Sequence, residues 1–329
     1  MLVLSIKLVF IKGFCFIMHP ADKPQMISKF PEFKRLELTD KAFLRAFTAF
    51  LPTYSDFNFT SLFSWDVQEV AEASNLNGNL VLKFTDYNTG KHFYTFIGIH
   101  KVDETIKTLL RFAEEHGTDK ELLLIPHSTV QALEKPEFFE INEDIDNHDY
   151  ILSVDDLVEF KSNKYRGKRN LLNRFERFHG EKAVTKEIDV TDENTRKQID
   201  LVTYSWTEMK NKTIADVESE LRAIKRCLDN ATALNTRGFG VFVGDEMVAY
   251  TLFELLPNKF ATIHFCKADT KFVGVFEHMN HNLAKHLSTL DIAHINMEQD
   301  LGLPGLRNSK QSYHPVHFLK KYKVKLKTN

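Results

Sequence analysis

One order of elements occurs twice in this 329-residue chain, and it constrains the fold more than any single motif. In the first occurrence, residues 80–84 and 93–99 are apolar runs around the turn-forming stretch 86–90, the pattern of a β-hairpin. Ile106, Leu109, Leu110 and Ala113 follow at i, i+3, i+4 and i+7, one helix face, with Gly117 as a stop signal. Residues 122–125 then read as a short buried strand. In the second occurrence, residues 240–243 and 247–255 flank Gly244-Asp245-Glu246, and residues 260–266 add a third strand. Phe276, Met279, Leu283, Leu287 and Leu290 make a helical stripe, and residues 293–297 return to a strand. Strand, strand, helix, strand, met twice, predicts an α/β (α+β) chain of two units, each packing helices on a mixed sheet.

Ser153-Val154-Asp155-Asp156 resembles a capping box, which places the boundary near residue 150. The expected domains are therefore 27–150 and 151–329, a division in keeping with the length. Three helical patterns precede the second sheet. The first, 163–179, aligns Leu171, Phe175 and Phe178; the second, 193–210, aligns Ile199, Val202, Trp206 and Met209; the third, 217–229, aligns Leu221, Ile224 and Leu228. Residues 1–26 are set apart from the fold, because the apolar stretch 1–18 reads as a signal peptide or, by preference, as a start placed too early, with Met18 or Met26 beginning the protein.

A net charge of −2 argues against a uniformly basic surface for nucleic acid. Cys15, Cys227 and Cys266 are odd in number, far apart and without Cys/His ligand spacing, so the expectation is a reducing cytoplasm and no structural metal. No apolar run after residue 30 is long enough to span a bilayer, so no stable membrane insertion is expected.

Three stretches stand out chemically. Residues 161–177 gather Lys161, Lys164, Arg166, Lys168, Arg169, Arg174 and Arg177 on a helical pattern, either a phosphate-binding stripe or a solvated face paired with Asp155, Asp156 or Glu159. Lys271 and Gly274 stand at a strand-to-helix turn, where backbone N–H groups can meet an anion. In residues 293–313, a continued strand would put Asn296, Glu298 and Asp300 on one face, and the loop with Gly302, Pro304 and Gly305 would bring Arg307, Lys310 and Tyr313 to one face of a short helix. The plainer reading is an Asp300–Arg307 or Glu298–Lys310 ion pair that fastens the loop. Nucleophile-elbow, phosphate-loop and His-Glu-x-x-His spacings are absent.

Leu51-Pro52-Thr53-Tyr54-Ser55-Asp56 with Phe59, Leu62 and Trp65 forms one signature. Tyr165-Arg166-Gly167-Lys168-Arg169-Asn170 with Asn173 and Phe175 forms another. The third runs from Asn296-x-Glu298-x-Asp300-Leu301-Gly302 through Gly305-Leu306-Arg307 to Lys310 and Tyr313-x-Pro315. Together, over roughly residues 30–325, they resemble the C-terminal catalytic domain of phosphatidylglycerol lysyltransferases. The resemblance implies two tandem GNAT-type (acyl-CoA N-acyltransferase-like) domains, with an aminoacyl group passed from aminoacyl-tRNA to an amine or hydroxyl. It departs in two ways: the membrane flippase segment is missing, and the CoA-binding loop of GNAT proteins is represented by Lys271-x-x-Gly274-x-Phe276, with Phe in place of a small residue.

The expected function is soluble aminoacyl transfer with no required cofactor and aminoacyl-tRNA as donor. The acceptor is a small molecule, lipid headgroup or peptide. The alternatives are an acetyl-CoA-dependent N-acetyltransferase and a non-catalytic binding protein on the same scaffold. Asp300, Glu298, Arg307 and Lys310 are the candidate catalytic groups. Lys168, Arg169, Asn170, Arg174, Lys271 and Gly274 are the candidate donor or phosphate contacts, with Asn296 and Tyr313 in the acceptor pocket.

Overall fold

The structure is a computed structural model, describing residues 27–85, 90–210 and 212–327, with the backbone of 7–11 and 14–18. The turn expected at 86–90, apart from Gly90, and most of residues 1–26 lie outside the described residues. In chain order the first half contains β1 (Lys7–Ile11), β2 (Phe14–Met18), β3 (Lys34–Arg35), α1 (Lys41–Thr48), α2 (Phe59–Trp65), β4 (Glu72–Leu76), β5 (Asn79–Thr85), β6 (His92–Ile97), α3 (Val102–Glu115), β7 (Leu122–Pro126), α4 (His127–Val130) and β8 (Phe139–Glu143). From there run β9 (Asp149–Ser153), α5 (Val154–Glu159), α6 (Arg166–His179), β10 (Ala183–Ile188), α7 (Glu193–Met209), α8 (Ile214–Asp229), α9 (Ala231–Leu234), β11 (Arg237–Val243), β12 (Glu246–Leu256) and β13 (Phe260–Ala268). The chain closes with α10 (Val275–Thr289), β14 (His294–Asn296), α11 (Pro304–Gln311), β15 (His317–Leu319) and β16 (Lys321–Leu326).

Both expected strand–strand–helix–strand units form. In the first half β3-β4-β5-β6 make one sheet and β7-β16-β8 another; in the second, seven strands run β10-β11-β12-β13-β14-β9-β15. Two strands tie the halves together. β9 pairs with β14 and β15, and β16, the last strand of the chain, lies between β7 and β8. The helix caps follow from sequence: Ser153 caps α5 through the Asp156 N–H, Asp192 caps α7, and Thr213 with Asp216 forms a capping box on α8.

The largest apolar core joins the halves. Phe59, Leu62 and Phe63 of α2 pack with Leu252 of β12 and Phe265 of β13, and with Ile224 and Leu228 of α8. Each such side chain, fully buried, contributes about 1.5–3 kcal/mol. The seam between the halves is therefore a hydrophobic core, not a polar contact between finished domains.

The helical stripe expected on 163–179 is corrected. α6 buries Leu172 and Phe175, whereas Leu171 and Phe178 are exposed. The apolar face is turned by about one residue because α6 packs on α10, not flat on the sheet. The strand expected to run through residue 300 is also corrected. β14 stops at Asn296, and Glu298 and Leu301 take left-handed backbone conformations (φ 56° and 55°). A left-handed residue breaks period-two alternation, so Glu298 and Asp300 turn to different partners.

Candidate active site

β13 and β14 are parallel and pair only from Phe260–His294 to Thr262–Asn296. Beyond that point β13 continues to Ala268, while the chain after β14 bends away toward α11. The residues singled out in 296–313 gather where the strands part.

Glu298 is the centre of the arrangement. Its Oε1 accepts a hydrogen bond from Ser61 Oγ of α2 at 2.6 Å and faces His264 Nδ1 of β13 at 3.2 Å. Ser61 Oγ is itself 3.1 Å from that Nδ1. The other ring nitrogen, Nε2, lies 3.5 Å from Glu254 Oε1, an ion-pair distance too long for a good hydrogen bond. Glu254 is held by Asn58 Nδ2 and, at 3.2 Å, by Thr60 Oγ1. Burial alone would discharge His264, but Glu254 and Glu298 on either side override it and raise its pKa to about 9. The ring is an imidazolium at neutral pH, with both nitrogens as donors.

Lys310 of α11 is buried and donates to the carbonyl of Gln299 at 2.6 Å. Burial lowers its pKa to about 8, against the pull of Glu298, Asp149 and Asp300. Asp300 and Arg307, expected beside it as catalytic groups, form the fastening pair. Arg307 Nε and Nη2 each donate to an Asp300 oxygen at 2.8 Å, and Nη2 also reaches Asp146 at 2.6 Å. Tyr150 O–H and the Gly302 N–H, the latter at 2.8 Å, complete the shell of Asp300. Burial pushes the Asp300 carboxyl up, and the bonds from Arg307, Tyr150 and Gly302 more than reverse it, so it stays below the ordinary carboxylate range. The Glu298–Lys310 pair does not close as a direct salt bridge among the described residues.

Asn296, expected in an acceptor pocket, is fully buried. Its Nδ2 donates to Thr53 O at 2.8 Å and to Asp149 at 3.1 Å, and its Oδ1 accepts the Glu298 N–H at 2.7 Å. It sets the backbone turn that presents Glu298. Tyr313 is buried under the Lys168 ammonium, 3.7 Å from its ring centroid, and its carbonyl accepts from Tyr165 O–H at 3.1 Å. Beneath the turn, Lys321 of β16 is wholly buried, with Asp149 at 2.7 Å and Asp56 in contact, and Ser55 bridges by donating to Asp149 at 2.6 Å.

The basic stretch divides between the two readings. Lys164 pairs with Asp156 at 3.0 Å, Lys168 pairs with Glu277 at 3.0 Å, and Arg169 donates to the carbonyls of Phe160 and Ser162. Arg166, Arg174 and Arg177 are exposed and make no ion pair among the described residues; with Asn170 and Asn173 they share one face of α6. Lys271 is exposed. Gly274 caps α10 at φ 91°, and a Cβ there would stand 2.1 Å from the carbonyl oxygen of Leu171. Glycine is demanded at this position by the crossing of α6.

Sequence reasoning missed Ser61, His264, Glu254, Asp149 and Lys321. A signal existed for two of them. Glu254 and His264 are polar groups in otherwise apolar strand patterns, where unpaired charge is costly enough to imply a partner.

The family profile of the phosphatidylglycerol lysyltransferase C-terminal domain matches residues 48–325, most of the chain and all of this site. The chain belongs to that family. A conserved protein of unknown function from Bacteroides thetaiotaomicron superposes with a TM-score of 0.78 at 29% identity, over 90% of this chain and 99% of its own. The L-PGS of Bacillus licheniformis superposes with a TM-score of 0.58 at 15% identity, over 93% of this chain and 95% of that one. A comparison with the curated proteins finds no match. The fold is accordingly the mixed α/β fold of that family, built on two strand–strand–helix–strand units, and the family is named for a lysyltransferase, an acyl-transferring enzyme. Among the described residues no helix is long and apolar enough to cross a membrane, and no group of three or more His, Cys, Asp and Glu side chains is placed to hold a metal ion.

Proposed function

We propose that this member of the family transfers an aminoacyl group from the ester of an aminoacyl-tRNA to an amine or hydroxyl acceptor, with Glu298 as the base. The observation that carries the reading is the setting of Glu298. Of the two acids in the closing motif, Asp300 has both oxygens spent on Arg307, while Glu298 commits only Oε1, to Ser61 and His264. It stands where β13 and β14 part, beside the cation of Lys310.

The acceptor nucleophile attacks the ester carbonyl and gives its proton to Glu298. The carbon–oxygen bond to the ribose breaks as the tetrahedral intermediate collapses, and the ribose oxygen takes a proton in turn. Lys310 offsets the negative charge on the carbonyl oxygen. An ester donor is already activated, so positioning supplies much of the rate. Aminoacyl-tRNA is favoured over acyl-CoA as donor because the backbone of α6 lies directly against Gly274, at the helix start that would take a pyrophosphate.

The test is transfer of a labelled aminoacyl group from charged tRNA to a panel of amines and alcohols. Glu298→Gln is expected to lower the rate by roughly 10²–10⁴-fold, the usual contribution of a positioned base. The wild-type rate is expected to fall as pH rises through about 8, where Lys310 loses its proton, and Lys310→Met is expected to abolish that limb. No transfer to any acceptor, with tRNA binding insensitive to salt, would overturn the proposal.

A further inference from the structure

On the opposite side of His264 from Glu298 lies a cavity of about 310 Å³ between the halves, walled by α1, the segment leading into α2, and the turn between β12 and β13. That volume is at the small end of ligand pockets, about 300–1,000 Å³. Its walls are mainly apolar, with Ala46, Leu51, Phe57 and Leu256 among them. Two cations line it, Lys41 and Arg45, one helical turn apart on α1. Like charges at this spacing repel, so the arrangement is unfavourable unless something negative faces both.

The protein supplies little that is negative. Glu254 is the single acidic residue of the wall; its oxygens accept from Asn58 and Thr60, and its charge faces His264 at 3.5 Å. The Lys41 side chain is nine-tenths buried, and its ammonium donates only to the carbonyl of Ala233, at 3.1 Å, with two N–H groups left over. Arg45 is exposed at the rim and makes no ion pair among the described residues. Thr53 Oγ1, also in the wall, is buried without a partner. A buried ammonium with spare donors, a second cation and an orphaned hydroxyl are donors arranged for an acceptor-rich group; the apolar walls suit an aliphatic stem.

We propose that this cavity binds a small anionic amphiphile, a carboxylate or phosphate head on an apolar stem, with the head between Lys41 and Arg45. The cavity and the transfer site are two sides of one imidazolium: Glu254 lines the first and Glu298 faces the second. Binding here stands on the cavity alone and does not depend on the transferase reading.

The experiment is calorimetric titration of the full chain with octyl phosphate and with octanoate, beside inorganic phosphate, octylamine and 1-octanol. Both anionic amphiphiles are expected to bind at least tenfold more tightly than any of the other three. Arg45→Ala and Lys41→Met are each expected to weaken binding tenfold or more, and Ala46→Leu, which fills the stem's space without touching charge, to weaken it comparably. Thermal unfolding of each variant shows that it is folded; Arg45→Ala, at an exposed position, keeps the test valid should Lys41→Met not fold. Octylamine or octanol binding as well as octyl phosphate, or Arg45→Ala and Ala46→Leu leaving affinity unchanged, would overturn the proposal. Binding without any aminoacyl transfer would sink the transferase reading alone.

Discussion

His264 is a buried cation whose charge is maintained by two carboxylates, and this has a sign that can be measured. Its pKa is raised from the ordinary 6.5 to about 9, so the folded state holds the proton more tightly than the unfolded chain. The stabilisation is fully present below about pH 6.5 and is lost as pH rises through about 9; the shift corresponds to on the order of 3 kcal/mol. Lys310 works in the opposite sense. Its pKa is lowered to about 8, so its charged form costs stability below that pH, and the cost is relieved between about 8 and the unfolded value. Between pH 6.5 and 8, therefore, His264 dominates. Denaturant unfolding of the wild type is expected to show falling stability across this window, and His264→Gln is expected to be less stable at pH 6.5 but flatter with pH. A wild-type curve that rises from pH 6.5 to 8 would mean that the imidazole is neutral and that Lys310 is the one cation beside Glu298 among the described residues.

At the scale of elements, α6 divides into a packing face and an open face. Lys168 reaches Glu277 across the α6–α10 interface, where both side chains are largely buried, whereas Arg166, Arg174 and Arg177 point away from it. The two sets of cations should respond differently to substitution. Lys168→Met leaves Glu277 uncompensated and is expected to cost about 3 kcal/mol of stability, the lower end for a broken buried pair. Replacing Arg166, Arg174 and Arg177 together by Ser is expected to change stability by no more than about 0.5 kcal/mol at each position. The triple variant should instead reduce affinity for charged tRNA and flatten its salt dependence by roughly one unit of slope for each phosphate no longer neutralised. An unaltered salt slope in the triple variant would remove α6 from the donor's path. The difference between the faces explains what could be read from the chain beforehand. Periodicity located α6 and its charge, because spacing is a property of the sequence. The local partners were within reach of that reading, as with Lys164 on Asp156; that Lys168 is spent depends on Glu277 of α10, far along the chain, and on the crossing at Gly274 that only the folded backbone defines. The bend after Asn296 was hidden for a related reason: the Asn296 side chain accepts the Glu298 N–H within the motif, but the Glu298 carbonyl is held by the Tyr150 N–H of β9, far back in the chain.

For the whole molecule the decisive element is β16. The two strand–strand–helix–strand units were legible because each is built from contiguous hydrophobic patterns, and they invite a cut near residue 150. The last strand crosses that cut. β16 inserts between β7 and β8, and its first residue, Lys321, carries its ammonium into the seam between Asp56 of the first half and Asp149 of β9. Nothing in the local pattern of so short a strand could announce partners that far back in the chain. The charges there balance only when both halves are in place. Burial lowers the pKa of Lys321, and the two carboxylates overcome it to hold the lysine protonated, whereas Asp56, pressed by burial and by Asp149, is pushed upward. Separating the halves would strand these charges and open the shared core around α2. The halves are therefore expected to unfold as one unit, and the chain carries two reporters, its two tryptophans: Trp65 of α2, whose ring lies 5.7 Å from that of Phe265 across the seam, and Trp206 in α7 of the second half. Denaturation followed in Trp65→Phe and Trp206→Phe variants should give coincident midpoints and equal slopes, the signature of a two-state transition. Lys321→Met, which leaves two buried carboxylates without their cation, should lower both transitions together by about 3–5 kcal/mol. If the Trp65 signal shifts while the Trp206 signal stays, β16 stabilises the seam without the second half, and the site between the halves would have to form by docking of independently stable domains.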